Sequence, residues 1–222
     1  MDYPGIEKIF FDDGYRLAGD CFKDGINRES LENAIRNLYD SVDLLLEAFL
    51  NRAASENNAS DCKKGCDWCC YQAVFAVTHE MVLVREYVRS ALSESIQHRI
   101  AAAAESKSQR SLGKSEQELQ KLKYPCPFLQ NHICQVYPVR PMACRIYLSS
   151  SEQSCREEFE DPADETKIPK LYDFPLRAGR MLNEGFVTYL KEKNFQENEL
   201  ALEQGYMSIL TLDQDIDSWI QS

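Results

Sequence analysis

Four cysteines fall within nine residues, Cys62, Cys66, Cys69 and Cys70 in CKKGCDWCC, and no other feature restricts the fold of this chain as much. Nine cysteines spread evenly over 222 residues would put about 0.4 of one in such a window. Cys126, Cys134 and Cys144 follow in CPFLQNHICQVYPVRPMACR, with Cys155 beyond them at similar spacing. Thiolates three or four residues apart meet on one helical face, and a Cys-x2-Cys pair in a tight turn also aims two sulfurs at one ion. Cys62, Cys66 and Cys69 suit either geometry. Cys70, directly after Cys69, diverges from it on regular backbone and suggests a second centre, a bridging thiolate or an unusual turn. Eight thiolates can hold two tetrahedral ions or one ion with spare thiols, and four can hold an iron–sulfur cluster; the count leaves these open. Each block by itself looks incomplete, because the distal cysteines are spaced more widely than ordinary zinc-knuckle pairs, so the two are expected to converge on one site.

Pro125, Pro127, Pro138 and Pro141 forbid a regular helix across 124–141, which reads as an irregular loop ordered by bound metal. The rest of the chain carries helical periodicity. Leu31, Ile35, Leu38, Val42, Leu45 and Phe49 step by three and four from Ser30. A second stripe starts at Thr78, a suitable N-cap, and runs through Met81, Val84, Val88, Leu92, Ile96 and Ile100. Residues 101–123 predict a solvated helical arm or hairpin with Gly113 as its break. After Cys155, REEFEDPADETKIPK reads as an exposed connection. Helical spacing returns in Leu176, Leu182, Phe186 and Leu190, in Leu202, Tyr206 and Ile209, and in Ile216, Trp219 and Ile220. No strand-period run is long enough to nucleate a sheet, and no repeat appears. The expected class is all-α, a helical domain with a loop-rich, cysteine-bound metal lobe. Residues 1–60 form an N-terminal helical region, 61–156 the cysteine-cluster region with its arm at 78–123, and 157–222 a C-terminal helical region, all within one domain.

A net charge of −11 repels a phosphate backbone, so nucleic acid is not an expected partner. The N-terminus has no basic segment leading into an apolar one, and no window approaches a membrane span. The chain is expected to be cytoplasmic, where reduced thiols serve metals or catalysis. The cysteine segments are its locally cationic parts: 124–147 holds Arg140 and Arg145 and no acidic residue. These arginines suit hydrogen bonds to loop carbonyls and offset thiolate charge. Cys21 stands alone and reads as a packed apolar residue. His132 reads as a polar loop tip, His79 and His98 as ordinary helical histidines, and Tyr137 and Phe128 as packing over the site.

With these residues in view, the sequence resembles the YkgJ-like cysteine-cluster family of zinc- or iron-chelating proteins. Its two-part signature, CxxxCxxCC followed by CPFL…C…Y..RP..CR, is met by Cys62, Cys66, Cys69 and Cys70, then by Cys126, Pro127, Phe128, Leu129, Cys134, Tyr137, Arg140, Pro141, Cys144 and Arg145. The resemblance implies that a metal ion is the partner, with zinc or iron, an iron–sulfur cluster included, as the cofactor. The family label of iron–sulfur oxidoreductase makes a redox role the activity to test, and some members are labelled flagellin lysine methylases. Two rival readings stand beside this one. A zinc-stapled module could bind a protein partner without catalysis. The CKKGCDWC stretch also fits the CxxxCx(aromatic)C pattern of radical S-adenosylmethionine enzymes, although alternating strand–helix patterns and a glycine-rich phosphate loop are missing. Oligomeric state is not legible.

Overall fold

In the computed structural model, which describes residues 4–211, two helices cross with their backbones almost touching because each presents a glycine at the crossing. These are α1 (Pro4–Cys21) and α8 (Asp173–Glu192). A β-carbon on Gly14 would lie 1.9 Å from the carbonyl oxygen of Leu182, and one on Gly185 would lie 2.0 Å from that of Phe11. Aromatic rings seal the crossing, with Tyr15 edge-on to Tyr189 at 5.3 Å and Phe22 stacked on Tyr189 at 6.0 Å.

The long helix α2 (Arg28–Ser55) lies against this pair and carries the stripe read from the sequence. Leu31, Ile35, Leu38 and Val42 are buried on it, and Phe49 stacks on Phe174. Asn27 caps it: its side chain accepts the Ser30 N–H, while the Ser30 hydroxyl accepts the Asn27 N–H, both at 2.9 Å. Leu182, Phe186 and Leu190 of α8 complete the middle of the core, as their spacing predicts.

The second stripe is divided. Helix α3 (Thr78–Ala91) ends where Leu92 and Ser93 turn extended, and α4 (Glu94–Ser111) starts anew. The apolar period survives the break, which is why the spacing alone predicts one helix. Glu80 accepts the Val77 N–H at 3.1 Å, so the first turn of α3 is satisfied from inside the helix by its third residue and not by Thr78. The stretch after Ile100 is also no solvated arm. Ile100 and Ala104 are fully buried against α9 (Leu202–Thr211), and Lys107 and Ser111 meet Glu203 there. Gly113, at φ +71°, ends that run before the short α5 (Glu116–Lys121). Leu202, Tyr206 and Ile209 are buried as read; Ile216, Trp219 and Ile220 lie outside the described residues.

Mainly helical as expected, the described residues nonetheless contain two small sheets. Strand β1 (Phe75–Val77) pairs antiparallel with β4 (Glu199–Ala201), Phe75 opposite Ala201. Strand β2 (Leu129–Gln130) pairs with β3 (Ile133–Cys134), so the expected irregular loop contains a hairpin. Strands of two or three residues are too short to show a period of two. Two short helices remain: α6 (Met142–Ile146), packed on α2 and α8, and α7 (Glu152–Glu160). The latter converts part of the expected acidic connection into a helix, with Ser151 capping it through the Ser154 N–H.

Candidate metal centre

A single turn of 3-10 helix over Trp68–Tyr71 carries Cys69 and Cys70, and it resolves the difficulty of adjacent cysteines by placing them on tight, non-α backbone. Its carbonyl at Cys70 accepts the N–H of Cys126 at 2.7 Å, which ties the first cysteine block directly to the second. Cys134 lies on β3, paired opposite Leu129, and Cys144 on α6. Cys126, Cys134 and Cys144 are all within electrostatic reach of one another and of Cys69 or Cys70. The later half of the first block thus lies beside the second block.

The earlier half of the first block faces elsewhere. Cys62 is exposed, and its sulfur accepts the Ser149 N–H at 3.2 Å. Around it the backbone of 60–68 is fastened to α7 and the residues before it. Asp61 donates to the Ser149 carbonyl at 3.2 Å and accepts the Glu152 N–H at 3.0 Å. Lys63 pairs with Glu152 at 2.9 Å, and Trp68 packs on Phe159 at 5.3 Å. Cys155, buried on α7, lies beside Ser149 and Ser154 and acts electrostatically with Cys62. Cys66 sits in the turn between, acting with Cys62 and Cys69. Cys21 stays apart at the end of α1, packed against the core and accepting the Asn37 amide at 3.5 Å.

Apart from exposed Cys62, the thiols of the two blocks and Cys155 are desolvated and unequal. Burial pushes Cys66 up to about 11 and Cys126 up to about 12, and it drives Cys144 well above the ordinary range. Cys69 is lowered, chiefly because the Cys70 thiol donates to its sulfur; the same bond, with burial, raises Cys70. Arg140 also favours the Cys69 thiolate, and Lys107 that of Cys126. Desolvated sulfur donors with nearby cationic charge suit zinc or iron, which accept thiolate and displace its proton. Among the described residues, however, no three His, Cys, Asp or Glu side chains already surround a point that would hold an ion. The donor chemistry fits the metal, and the backbone gathers the donors without yet aiming them.

A buried frame holds the second block. Arg145, 2% exposed, lies with its guanidinium 4.0 Å over the Tyr39 ring and donates to Asp43 at 2.5 Å and to the carbonyls of Pro138 at 2.5 Å and Arg140 at 3.0 Å. The carbonyl-bonding role read for Arg145 is what it performs. Glu80, equally buried, accepts the Tyr39 hydroxyl at 3.0 Å and the Met142 N–H at 2.6 Å in addition to Val77. It therefore fixes the start of α6, two residues before Cys144. Nothing in the sequence marks Glu80 beyond a favourable place near a helix N-terminus. Phe128 is buried, as expected of a packing residue, but Tyr137 is not: it is 58% exposed, with Arg140 stacked over its ring at 3.9 Å. His132 is the polar tip of the β2–β3 hairpin and bonds Asp67 at 3.0 Å, another link between the blocks. His98 stays on α4, and His79 is buried against Glu197 at 3.1 Å.

No curated protein and no solved structure matches this chain. Residues 61–166 match the family model CxxCxxCC, described as "Putative zinc- or iron-chelating domain". That span contains both cysteine blocks and Cys155, together with the turn, hairpin and short helices that gather them. Over residues 61–166 the chain is similar to the zinc- or iron-chelating family that this model describes, in agreement with the resemblance carried by its two cysteine blocks.

Proposed function

We propose that this protein holds zinc or an iron centre, an iron–sulfur cluster included, through the thiolates of Cys62, Cys66, Cys69, Cys70, Cys126, Cys134, Cys144 and Cys155, and that with iron bound it has a redox role. The observation that carries the reading is the 2.7 Å bond from the Cys126 N–H to the Cys70 carbonyl, which brings cysteine segments over fifty residues apart alongside each other. All nine cysteines are free, as a reducing compartment such as the cytoplasm would keep them. Among the described residues no helix is long and apolar enough to cross a membrane. The regions 1–60, 61–156 and 157–222 act as one unit in this reading, since buried residues of each join one core.

Anaerobic purification followed by elemental and sulfide analysis tests it. A brown protein containing iron and sulfide, bleached by dithionite, supports the redox role; a colourless protein with stoichiometric zinc removes it. Protein free of both metals, and unable to take them up, overturns the reading. Exposed Ile133 and Tyr137 at the edge of the lobe favour a second reading, a zinc-stapled module that docks a protein partner. Zinc content together with loss of partner capture in Tyr137→Ala would support it.

A further inference from the structure

We propose that Arg99 is a positioning residue for the metal centre: from α4, a helix that carries no cysteine, it supplies positive charge that balances thiolates bound to a metal. The inference rests on the metal-binding reading above and adds to it a residue that decides how tightly the metal is held.

Helix α4 sends two cations to the backbone of the second block. Lys107 donates to the Tyr124 carbonyl at 3.4 Å, just before Cys126 in the chain. Arg99, about two turns earlier on the helix, donates through Nη1 to the Pro127 carbonyl at 3.5 Å and to the Leu129 carbonyl at 3.4 Å. Pro127 directly follows Cys126, and Leu129 stands opposite Cys134 in the β2–β3 hairpin. The guanidinium therefore lies against the backbone that carries both cysteines.

The two cations differ in how their charge is met. Lys107 is buried with Glu203, whose carboxylate lies 3.7 Å away and also accepts the Ser111 hydroxyl at 2.8 Å, so this pair is neutral as a unit. Arg99 meets only carbonyls. Its Nε and Nη2 are buried, and among the described residues neither has a hydrogen-bond partner and no carboxylate joins the contacts of the guanidinium. Burying a cation against carbonyl dipoles alone is costly, because they return less than the hydration it loses. The arrangement becomes favourable when a negative group forms beside it. Four thiolates on a divalent ion carry about −2 overall, and a thiolate-held iron–sulfur cluster is likewise anionic. Metal binding supplies the charge that Arg99 lacks, so Arg99 favours the bound state over the metal-free one.

Anaerobic competition between the full-length protein and a chelator for Co(II) at fixed pH, read by the thiolate-to-cobalt charge-transfer band, tests this together with thermal melts of the metal-free protein. Arg99→Met should bind cobalt roughly 10–100-fold more weakly, the range for losing a residue that supports a metal's ligands, and Arg99→Lys, which keeps the charge, should recover most of that loss. Metal-free Arg99→Met should melt at or above the wild-type temperature, because it no longer buries an unpaired charge. Lys107→Met combined with Glu203→Gln removes a pair that is neutral as a unit and should leave the affinity near the wild type. Wild-type affinity in Arg99→Met overturns the inference while leaving metal binding intact. So does a metal-free melting temperature that falls together with the affinity, which would make Arg99 a prop of the hairpin alone, or an Arg99→Lys variant as weak as Arg99→Met. A wild type that binds no cobalt overturns the metal-binding reading itself.

Discussion

Replacing Glu80 by glutamine should loosen the second cysteine block without touching a cysteine. The Glu80 carboxylate accepts three hydrogen bonds at a site 2% exposed, from Val77, Tyr39 and Met142. Glutamine keeps one acceptor oxygen, so its amide nitrogen must face either the Val77 or the Met142 N–H, donor against donor. A hydrogen bond to a charged group contributes roughly 1.5–3 kcal/mol, so the glutamine variant should lose about 2 kcal/mol. Alanine orphans all three donors, and at about 1–3 kcal/mol each, eased by water entering the cavity, the loss should be about 4 kcal/mol. For a protein of this size 1 kcal/mol moves Tm by roughly 2–4 °C, so the shifts should be about 4–8 °C and about 8–16 °C. Tyr39→Phe is the control. It removes one donor and leaves Glu80 bonded to Met142 and Val77 with no donor orphaned, so its cost should stay near the low end for a bond to a charged group, about 1.5 kcal/mol, and well below that of alanine. Thermal melts followed by far-ultraviolet circular dichroism read all three, and hydrogen exchange at the Met142 amide localises the effect. If glutamine and alanine both lie within about 0.5 kcal/mol of the wild type, Glu80 does not hold the frame.

Three further outcomes are expected. Gly185→Ala places a methyl 2.0 Å from the Phe11 carbonyl oxygen and should force α1 and α8 apart; overpacking of about 1–3 kcal/mol exceeds the roughly 1 kcal/mol gained in helix propensity, and a variant as stable as the wild type would refute the close crossing. Burial opposes charge on His79, but the Glu197 carboxylate and its hydrogen bond outweigh it and raise the pKa above the ordinary 6.5. A raised folded pKa gives stability that is full below pH 6.5 and lost as pH rises through the folded value, so unfolding free energy should decline from about pH 6.5 upward and the decline should vanish in His79→Gln. Chelation should expose Lys63, already 70% exposed, and Lys64 to trypsin while Arg145, 2% exposed, stays uncut; equal cleavage with and without metal would argue that the earlier half of the first block needs no ion for its order.

Much of this protein is legible in its sequence because the relevant signals are local. A stripe at i, i+3 and i+4 depends only on neighbours along the chain, so Leu31 to Val42 and Leu182 to Leu190 announce their helices and their buried faces. Ligand chemistry is equally local: four thiols within nine residues specify a metal-binding segment whatever surrounds it, and prolines at 125, 127, 138 and 141 exclude a single helix across 124–141. Helix α1 escapes a sequence reading because Phe10 and Phe11 precede Asp12, Asp13 and Gly14, a stretch of weak helical character that becomes reasonable only against Gly185 on α8. The β1–β4 pair escapes because its strands are three residues long and more than a hundred residues apart. Glu80 and His79 look like ordinary residues in the first turn of a helix; tertiary packing alone buries them and supplies Tyr39, Met142 and Glu197 as partners. For the cysteines, spacing pointed to a metal-chelating segment. Which segments lie together was decided by backbone bonds between distant parts of the chain, Cys70 to Cys126 and Asp61 to Ser149, and no spacing along the chain encodes those meetings.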